Sequence, residues 1–278
     1  MAMLATAALF AACDDTQEGT EPGGDSQPNV VVYQLTADGD YDADMTTKLR
    51  LAVNDATETV YVLAESQADY AAHYNDSTYA YVDYVVDNGT EFAVADNKVI
   101  DYNISELGGL NYITAVAVKG DTRKMAPSVT FTGYTYSQVE GTEDYVFTDP
   151  WKSVCEAKLY VCNEVPTNYR LKGVCFAKLG TETFDINMSV YTDEDGKPVT
   201  SAQGGLTYLR VLAQETPYEY GSYGVVSVRD VAAWQNKEDY VLEYPCVLTS
   251  DNELDLILQL YVTAGSLGMK EVYFQAAE

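Results

Sequence analysis

Apolar and polar side chains alternate along most of the chain, and this pattern predicts β-strands. Within residues 29–132, Leu49 and Leu51 alternate with Lys48 and Arg50, which is the period of a half-buried strand. Roughly seven such strands in about 100 residues predict a β-sandwich.

Two local signals refine this first domain. The strand-like run Tyr79–Val86 precedes Asn88-Gly89, and this dipeptide favours a hairpin turn because both central residues of the turn need positive φ. Residues Gln67–Tyr74 have a helical pattern and predict one short helix.

Residues 133–278 predict a second antiparallel β-domain, either a sandwich or an open barrel. The runs Leu254–Val262 and Met269–Phe274 flank a small-residue turn and predict a hairpin. A further strand is predicted over Tyr240–Leu248, and a helical turn over Asp230–Gln235. The predicted fold class is therefore all-β, with two antiparallel β-domains.

The first residues have a different composition. Met3–Ala12 is mostly apolar but spans only ten residues, about half of what crosses a bilayer, so residues 1–12 are interpreted as a signal peptide. No Lys or Arg precedes the run, and we expect the true start to lie upstream. Residues 13–28 carry five acids and no base, together with Gly and Pro, which predicts a flexible acidic tether.

Phe10-Ala11-Ala12-Cys13 resembles a bacterial lipobox, and this resemblance implies an acylated Cys13. Asp14 and Asp15 follow, and they resemble the export signal of Bacteroidota-type surface lipoproteins. The resemblance implies a lipid-anchored protein on the outer membrane, facing the cell exterior. Alternatively, the two acids only begin the solvated tether.

Segments of both predicted domains resemble known families. Leu107–Val118 resembles part of a fibronectin type III domain, which implies an Ig-like sandwich over 29–132 with Tyr112 in a tyrosine corner. Tyr220–Asp230 and Tyr261–Phe274 resemble a C-terminal β-domain of secreted Bacteroidota lipoproteins. That group supplies no catalytic residues.

Charge excludes one class of partner. The chain has 43 acidic and 16 basic residues, a formal net charge of −27, so phosphate backbones would repel it and general nucleic-acid binding is excluded. A single histidine also excludes a metal site built from several imidazoles of one chain.

Three tyrosines in a Pro- and Gly-containing loop form the first candidate site. Tyr218, Tyr220 and Tyr223 would provide rings that stack on sugar faces and hydroxyls that form hydrogen bonds. The alternative is that they cover the end of the domain as an amphipathic rim. Trp151 and Trp234 are further candidates, although each fits a core position better.

Four alternating acids form a candidate metal site. Asp38, Asp40, Asp42 and Asp44 would share one face of an extended segment, and carboxylate oxygens suit Ca²⁺. The segment lacks the glycine and distal glutamate of an EF-hand, so a solvated acidic turn is the favoured interpretation. No other cofactor is predicted.

Four cysteines lie in the second domain. If the chain turns near Pro166, Cys155 and Cys175 fall almost opposite one another, which allows a cross-strand disulfide in an exported protein. Buried free thiols are an equally good interpretation.

Catalysis has little support. His73 has Asp69 nearby, but no G-x-S-x-G motif provides a nucleophile for a Ser-His-Asp site. The favoured hypothesis is a non-catalytic surface lipoprotein that binds glycan or acts in adhesion. The alternatives are a structural or assembly accessory of the envelope, with a protein partner, and an exported glycan hydrolase whose two carboxylates the sequence does not identify.

Overall fold

The fold is mostly antiparallel β-sheet, as predicted. The chain divides into two compact units, with the division between Gly133 and Tyr134. The computed structural model describes residues 26–37, 41–74, 78–94, 98–202 and 204–277.

The first unit places two sheets around one apolar core. Their orders are β1-β2-β5 and β4-β3-β6-β7, and β8 also pairs with β6. Leu49 and Leu51 of β2 share this core with Ile113 and Ala115 of β6. The elements are β1 (Val30–Thr36), β2 (Thr47–Val53), β3 (Thr59–Ser66), α1 (Gln67–Tyr74), α2 (Thr78–Asn88), β4 (Thr90–Ala93), β5 (Val99–Ile104), β6 (Gly109–Lys119), β7 (Thr122–Met125) and β8 (Val129–Gly133).

Two helices cover the outer face of the second sheet. The predicted helix at Gln67–Tyr74 is confirmed as α1. The predicted strand and hairpin at Tyr79–Gly89 were wrong, because this segment forms α2, whose buried Tyr81 and Val85 pack with Val116 of β6. Gly89 ends the helix by donating its N–H to the Val85 carbonyl at 2.8 Å.

The corner at the start of β6 differs from the predicted one. Strand alternation turns Asn111 inward and Tyr112 outward, so the Tyr112 ring stacks on Tyr70 of α1 with centroids 4.2 Å apart. The Asn111 amide instead donates back to the carbonyls of Gly108 (3.1 Å) and Gly109 (2.9 Å). The placement of Tyr112 in a tyrosine corner was therefore wrong.

The second unit is built on a single antiparallel sheet of eleven strands in the described part of the chain. The main path is β10-β19-β18-β17-β14-β13-β12-β11-β9, and β16 pairs with both β15 and β18. The elements are β9 (Tyr136–Gln138), β10 (Tyr145–Thr148), β11 (Lys158–Cys162), β12 (Asn168–Val174), β13 (Phe184–Val190), β14 (Leu206–Arg210), β15 (Gln214–Glu219), β16 (Val225–Asp230), α3 (Val231–Gln235), α4 (Tyr240–Glu243), β17 (Cys246–Thr249), β18 (Leu254–Val262) and β19 (Gly265–Ala276).

The sheet curls around one core to which most strands contribute, including Leu159, Leu171, Leu256 and Phe274. The predicted hairpin is confirmed as β18 and β19, whose register runs from Leu254↔Phe274 to Val262↔Gly265. Because β18 also pairs with β16 and β17, the sheet branches at this hairpin.

Two predictions in this unit need correction. The predicted strand Tyr240–Leu248 begins instead as α4, and only its last three residues, from Cys246, belong to β17. The segment that contains Tyr218 was predicted as a loop but forms β15, with Pro217 in a strand that pairs only with β16 among the described strands. Such an edge position tolerates proline. The predicted helical turn is confirmed as α3, which Asp230 caps.

None of the helices in the described residues has both the length and the apolar character needed to cross a membrane.

Candidate functional site

Tyr218 is a core residue and does not belong to an exposed platform. Its side chain alternates inward from β15 and is 2% exposed. Its hydroxyl accepts the Phe176 N–H at 2.9 Å and donates to the Glu182 carbonyl at 2.7 Å. Burial raises the pKa of this phenol. The placement of Tyr218 among ligand-binding rings is thereby corrected.

The other two tyrosines of the candidate set are at the surface. Tyr220 is 45% exposed and Tyr223 is 58% exposed, and their ring centroids lie 6.1 Å apart. Tyr220 directly precedes a 3₁₀ turn at Gly221–Tyr223, Tyr223 is the last residue of this turn, and Gly224 after it has φ of 90°. The turn presents both rings on one short segment before β16.

Tyr220 borders a cavity of about 270 Å³, which we call the Trp151 pocket. This volume is slightly below the range of about 300–1,000 Å³ of most small-molecule sites, and it fits a ligand such as a sugar ring. The lining consists of aromatic, aliphatic and lysine side chains: Trp151, Lys178, Leu179, Tyr220, Leu267 and Lys270.

Hydrogen bonds between turns fix the base of the Trp151 pocket. The Asp149 carboxylate accepts the backbone N–H and the hydroxyl of Ser153, both at 2.8 Å, and so closes the turn that carries Trp151. The Ser153 hydroxyl oxygen in turn accepts the Ala177 N–H at 2.8 Å. Because Lys178 and Leu179 follow Ala177, this network links two parts of the lining.

Tyr218 stabilises the backbone of the same lining residues. Its hydroxyl joins Phe176 to Glu182, and these residues flank the segment that contains Lys178 and Leu179. A Cβ atom on Gly180 would lie 2.6 Å from the Tyr218 ring, so only glycine fits at this point. Tyr218 is therefore a positioning residue for the pocket.

Lys270 and Trp151 contact one another across the pocket. The ammonium nitrogen of Lys270 lies 5.1 Å from the centroid of the indole, within the range of a cation–π interaction. The same ammonium donates to the Met269 carbonyl at 3.1 Å. On its other side the indole meets Phe176 edge to face, with centroids 5.8 Å apart. These contacts hold the indole and the ammonium in place.

Sequence reasoning identified Tyr220 and named Trp151 as a secondary candidate, but it missed both lysines. Leu267 and Lys270 both lie in β19 of the predicted hairpin, which was the available signal. The Trp151 turn lies beside β19 because β10, which precedes this turn, pairs with β19 from Tyr145↔Ala276 to Thr148↔Tyr273. Alternation within a strand does not encode that pairing. Trp234 lies on α3 and does not line the pocket.

The structure brings the predicted cysteine pair together, with both sulfurs as free thiols. The Cys155 sulfur accepts the Cys175 N–H at 3.3 Å, and the Cys175 thiol donates to the Val154 carbonyl at 3.6 Å. Burial raises the pKa of the Cys155 thiol to about 12.

The predicted calcium ligands are only partly described. Asp38 and Asp40 lie outside the described residues, as does Cys13. The Asp42 carboxylate accepts the Asp44 N–H at 3.0 Å, which is turn chemistry. Among the described residues no group of three or more acids, histidines or cysteines is placed to hold a metal ion.

A buried carboxylate in the first unit was not predicted. Glu65 accepts a hydrogen bond from the Tyr81 hydroxyl at 2.5 Å, and its other oxygen lies 2.5 Å from His73 Nδ1. Burial, together with this carboxylate, raises the pKa of Tyr81. The groups connect α1 and α2 to the end of β3, and His73 contributes to this connection.

A larger cavity of about 750 Å³ lies in the first unit, between α2 and β7. Its charges are matched within the unit, since Arg123 forms an ion pair with Asp83. Its other lining residues include the exposed Tyr79 and the buried Val82. The acidic and basic side chains that line this cavity are therefore balanced in charge, whereas the lining of the Trp151 pocket has lysines and no acid.

Comparisons with known proteins add little to this geometry. No protein-family model matches the chain, and no curated protein matches it. A solved structure described as a cycloalternan-degrading enzyme from Trueperella pyogenes in complex with isomaltose aligns with 84% of this chain at 6% identity and a TM-score of 0.25. The chain spans 28% of the length of that protein.

Proposed function

We propose that this protein is a non-catalytic, lipid-anchored surface protein that binds glycan in the Trp151 pocket. The observation that carries the proposal is the convergence of Trp151, Tyr220 and two lysines on one small cavity. Sugar rings combine apolar C–H faces with hydroxyl groups. Such a ligand needs flat apolar surfaces beside a few polar donors, and this pocket supplies both.

The lining residues of the pocket supply two kinds of contact for a sugar. Tyr220 and Leu267 supply apolar surface, while the lysine ammonium groups supply up to three donors each. The lining positions are braced by the Ser153 and Tyr218 hydrogen bonds, so little ordering is needed on binding. Tyr223, next to Tyr220 and more exposed, extends the aromatic surface beyond the cavity.

Surface display is proposed from the first residues of the chain. The apolar run and Cys13 favour export and acylation. The acidic tether would then separate the two units from the membrane.

Tryptophan fluorescence tests the proposal directly, because the chain has only two tryptophans. In a Trp234→Phe variant of the full chain, the signal reports Trp151 alone. We expect oligosaccharides from a panel of neutral and acidic glycans to change this signal in a saturable way.

Tyr220→Ala should weaken the binding about tenfold, in line with the loss of one stacking ring. Tyr41→Ala is the control, since Tyr41 is also exposed, at 49%, and lies in the other unit. A panel in which no glycan changes the Trp151 signal would overturn the proposal and favour the envelope accessory role.

A further inference from the structure

We propose that the Trp151 pocket selects an acidic sugar, one whose carboxylate binds Lys178 and Lys270. This inference rests on the proposed glycan binding and specifies its ligand class. It is carried by the charge of the lining, which is opposite to the charge of the protein.

The lining has two ammonium groups and no carboxylate. Elsewhere in the described residues, Lys48, Lys98 and Lys197 each form an ion pair with an aspartate. Neither Lys178 nor Lys270 forms an ion pair with any acid in the described residues, although each lines a concave site. Glu182 and Glu219 neighbour the lining residues in sequence but do not line the pocket. An anionic ligand would supply the missing partner.

The position of Lys270 is fixed before any ligand arrives. Its ammonium lies over the Trp151 indole and donates one of its three hydrogens to the Met269 carbonyl. Two hydrogens stay free for an acceptor. A charged hydrogen bond formed by a preorganised donor is stronger than one between neutral groups.

The aromatic surface distinguishes a sugar acid from a simple anion. With the ammonium over the indole, the exposed Tyr220 ring and the Leu267 side chain provide the apolar wall for a ring face. A uronic acid carries its carboxylate on the edge of such a ring. It can therefore contact the wall and the ammonium groups at once, whereas a free carboxylate contacts only the ammonium groups.

The net charge of −27 does not prevent this recognition. At about 0.15 M salt the Debye length is about 8 Å, so distant acids are largely screened while direct ammonium contacts persist. The excess negative charge would instead slow the approach of acidic ligands and make the measured affinity depend on salt.

Titration of the Trp151 signal with three matched ligands tests the inference on the full-length Trp234→Phe chain. The ligands are oligomers of galacturonic acid, their methyl esters and oligomers of galactose, all of equal length and linkage. We expect the free acid to bind at least about tenfold more tightly than its uncharged methyl ester. Sodium acetate should compete only weakly.

Lysine variants identify the contacts. Lys178→Gln and Lys270→Gln should each weaken binding of the free acid roughly tenfold and binding of the methyl ester much less, so that the preference for the acid over the ester falls. Lys237→Gln is the matched control, because its ammonium lies 5.0 Å from the Tyr240 ring, outside the pocket. This control changes the net charge by the same amount.

The outcomes separate the two proposals. Equal binding of acid and ester, or unchanged acid binding in both pocket variants, overturns the acidic-sugar inference and leaves glycan binding intact. Absence of any saturable Trp151 response overturns both.

Discussion

The Tyr218 hydroxyl links two backbone positions of the second unit. One phenol satisfies the Phe176 N–H and the Glu182 carbonyl, which lie on either side of the turn that carries Lys178. The ring packs in T-shaped contact with Phe184, with centroids 5.8 Å apart. At this residue, therefore, the stability of the second unit and the shape of the Trp151 pocket depend on the same hydroxyl.

Removal of this hydroxyl should be costly. Tyr218→Phe keeps the ring but leaves the buried Phe176 N–H without its acceptor, so we expect the free energy of unfolding to fall by about 1–3 kcal/mol. Urea denaturation measures the change. Tyr223→Phe, at an exposed ring, should change stability by less than about 0.5 kcal/mol. Equal effects of the two substitutions would contradict the role given to Tyr218.

The Cys155 and Cys175 pair should be oxidisable. A glutathione disulfide oxidant would take two electrons from the two thiols and join their sulfurs, with release of reduced glutathione. The bridge closes a loop of about 20 residues and should stabilise the unit by about 3 kcal/mol. Intact mass and thermal unfolding measure both changes, and Cys155→Ser should abolish them.

The reaction should be slow near pH 7 and accelerate with pH. The thiolate is the attacking species, and burial raises the pKa of Cys155 to about 12 from 9.0, so its thiolate is scarce at neutral pH. The same shift implies that the reduced protein loses stability as pH rises from about 9 towards 12, because only the unfolded chain readily releases that proton. A rate independent of pH would contradict this account.

At the scale of elements, the α1–α2 pair is held by side chains rather than by helix propensity. Helices of eight and eleven residues are marginal alone, and these two acquire their stability from packing on β6 and from Glu65. Stacking of Tyr70 on Tyr112, and the Tyr81 hydrogen bond, join both helices to the sheet.

Glu65→Gln tests this attachment. The substitution removes the negative charge between His73 and Tyr81, and we expect a loss of about 1–3 kcal/mol, localised to the helices. Hydrogen exchange should show faster exchange of the α1 and α2 amides, with β2 unchanged. Glu106→Gln, at an exposed glutamate, is the control. Uniform loss of protection across the unit would argue against a locally attached helix pair.

The strands were largely predictable from the sequence, and the helix pair shows why some elements were not. Alternation identifies β2 and the β18–β19 hairpin because each has one clear period. In α2, tyrosines and valines fit both a strand and a helix, and only the packing of Tyr81 and Val85 on the outer sheet face decides. Similarly, the Trp151 pocket joins turns far apart in sequence, so no local pattern identifies its lysines.

At the scale of the whole molecule, the proposed attachment to a membrane is through the lipid at Cys13. The net charge of −27 gives no attraction to anionic lipid surfaces, which bind basic segments. In the proposed anchoring, the acyl chains at Cys13 supply the binding free energy.

Cys13→Ala should move the protein from the membrane fraction to the soluble fraction of a Bacteroidota host, with loss of metabolic labelling by palmitate. The paired substitution of Asp14 and Asp15 by Ala should keep the label but protect the protein from protease added to intact cells, because it removes the acids expected to direct surface export. This second variant separates acylation from display. Membrane attachment that survives Cys13→Ala would overturn the anchoring proposal, since nothing else in the charge of the chain favours a lipid surface.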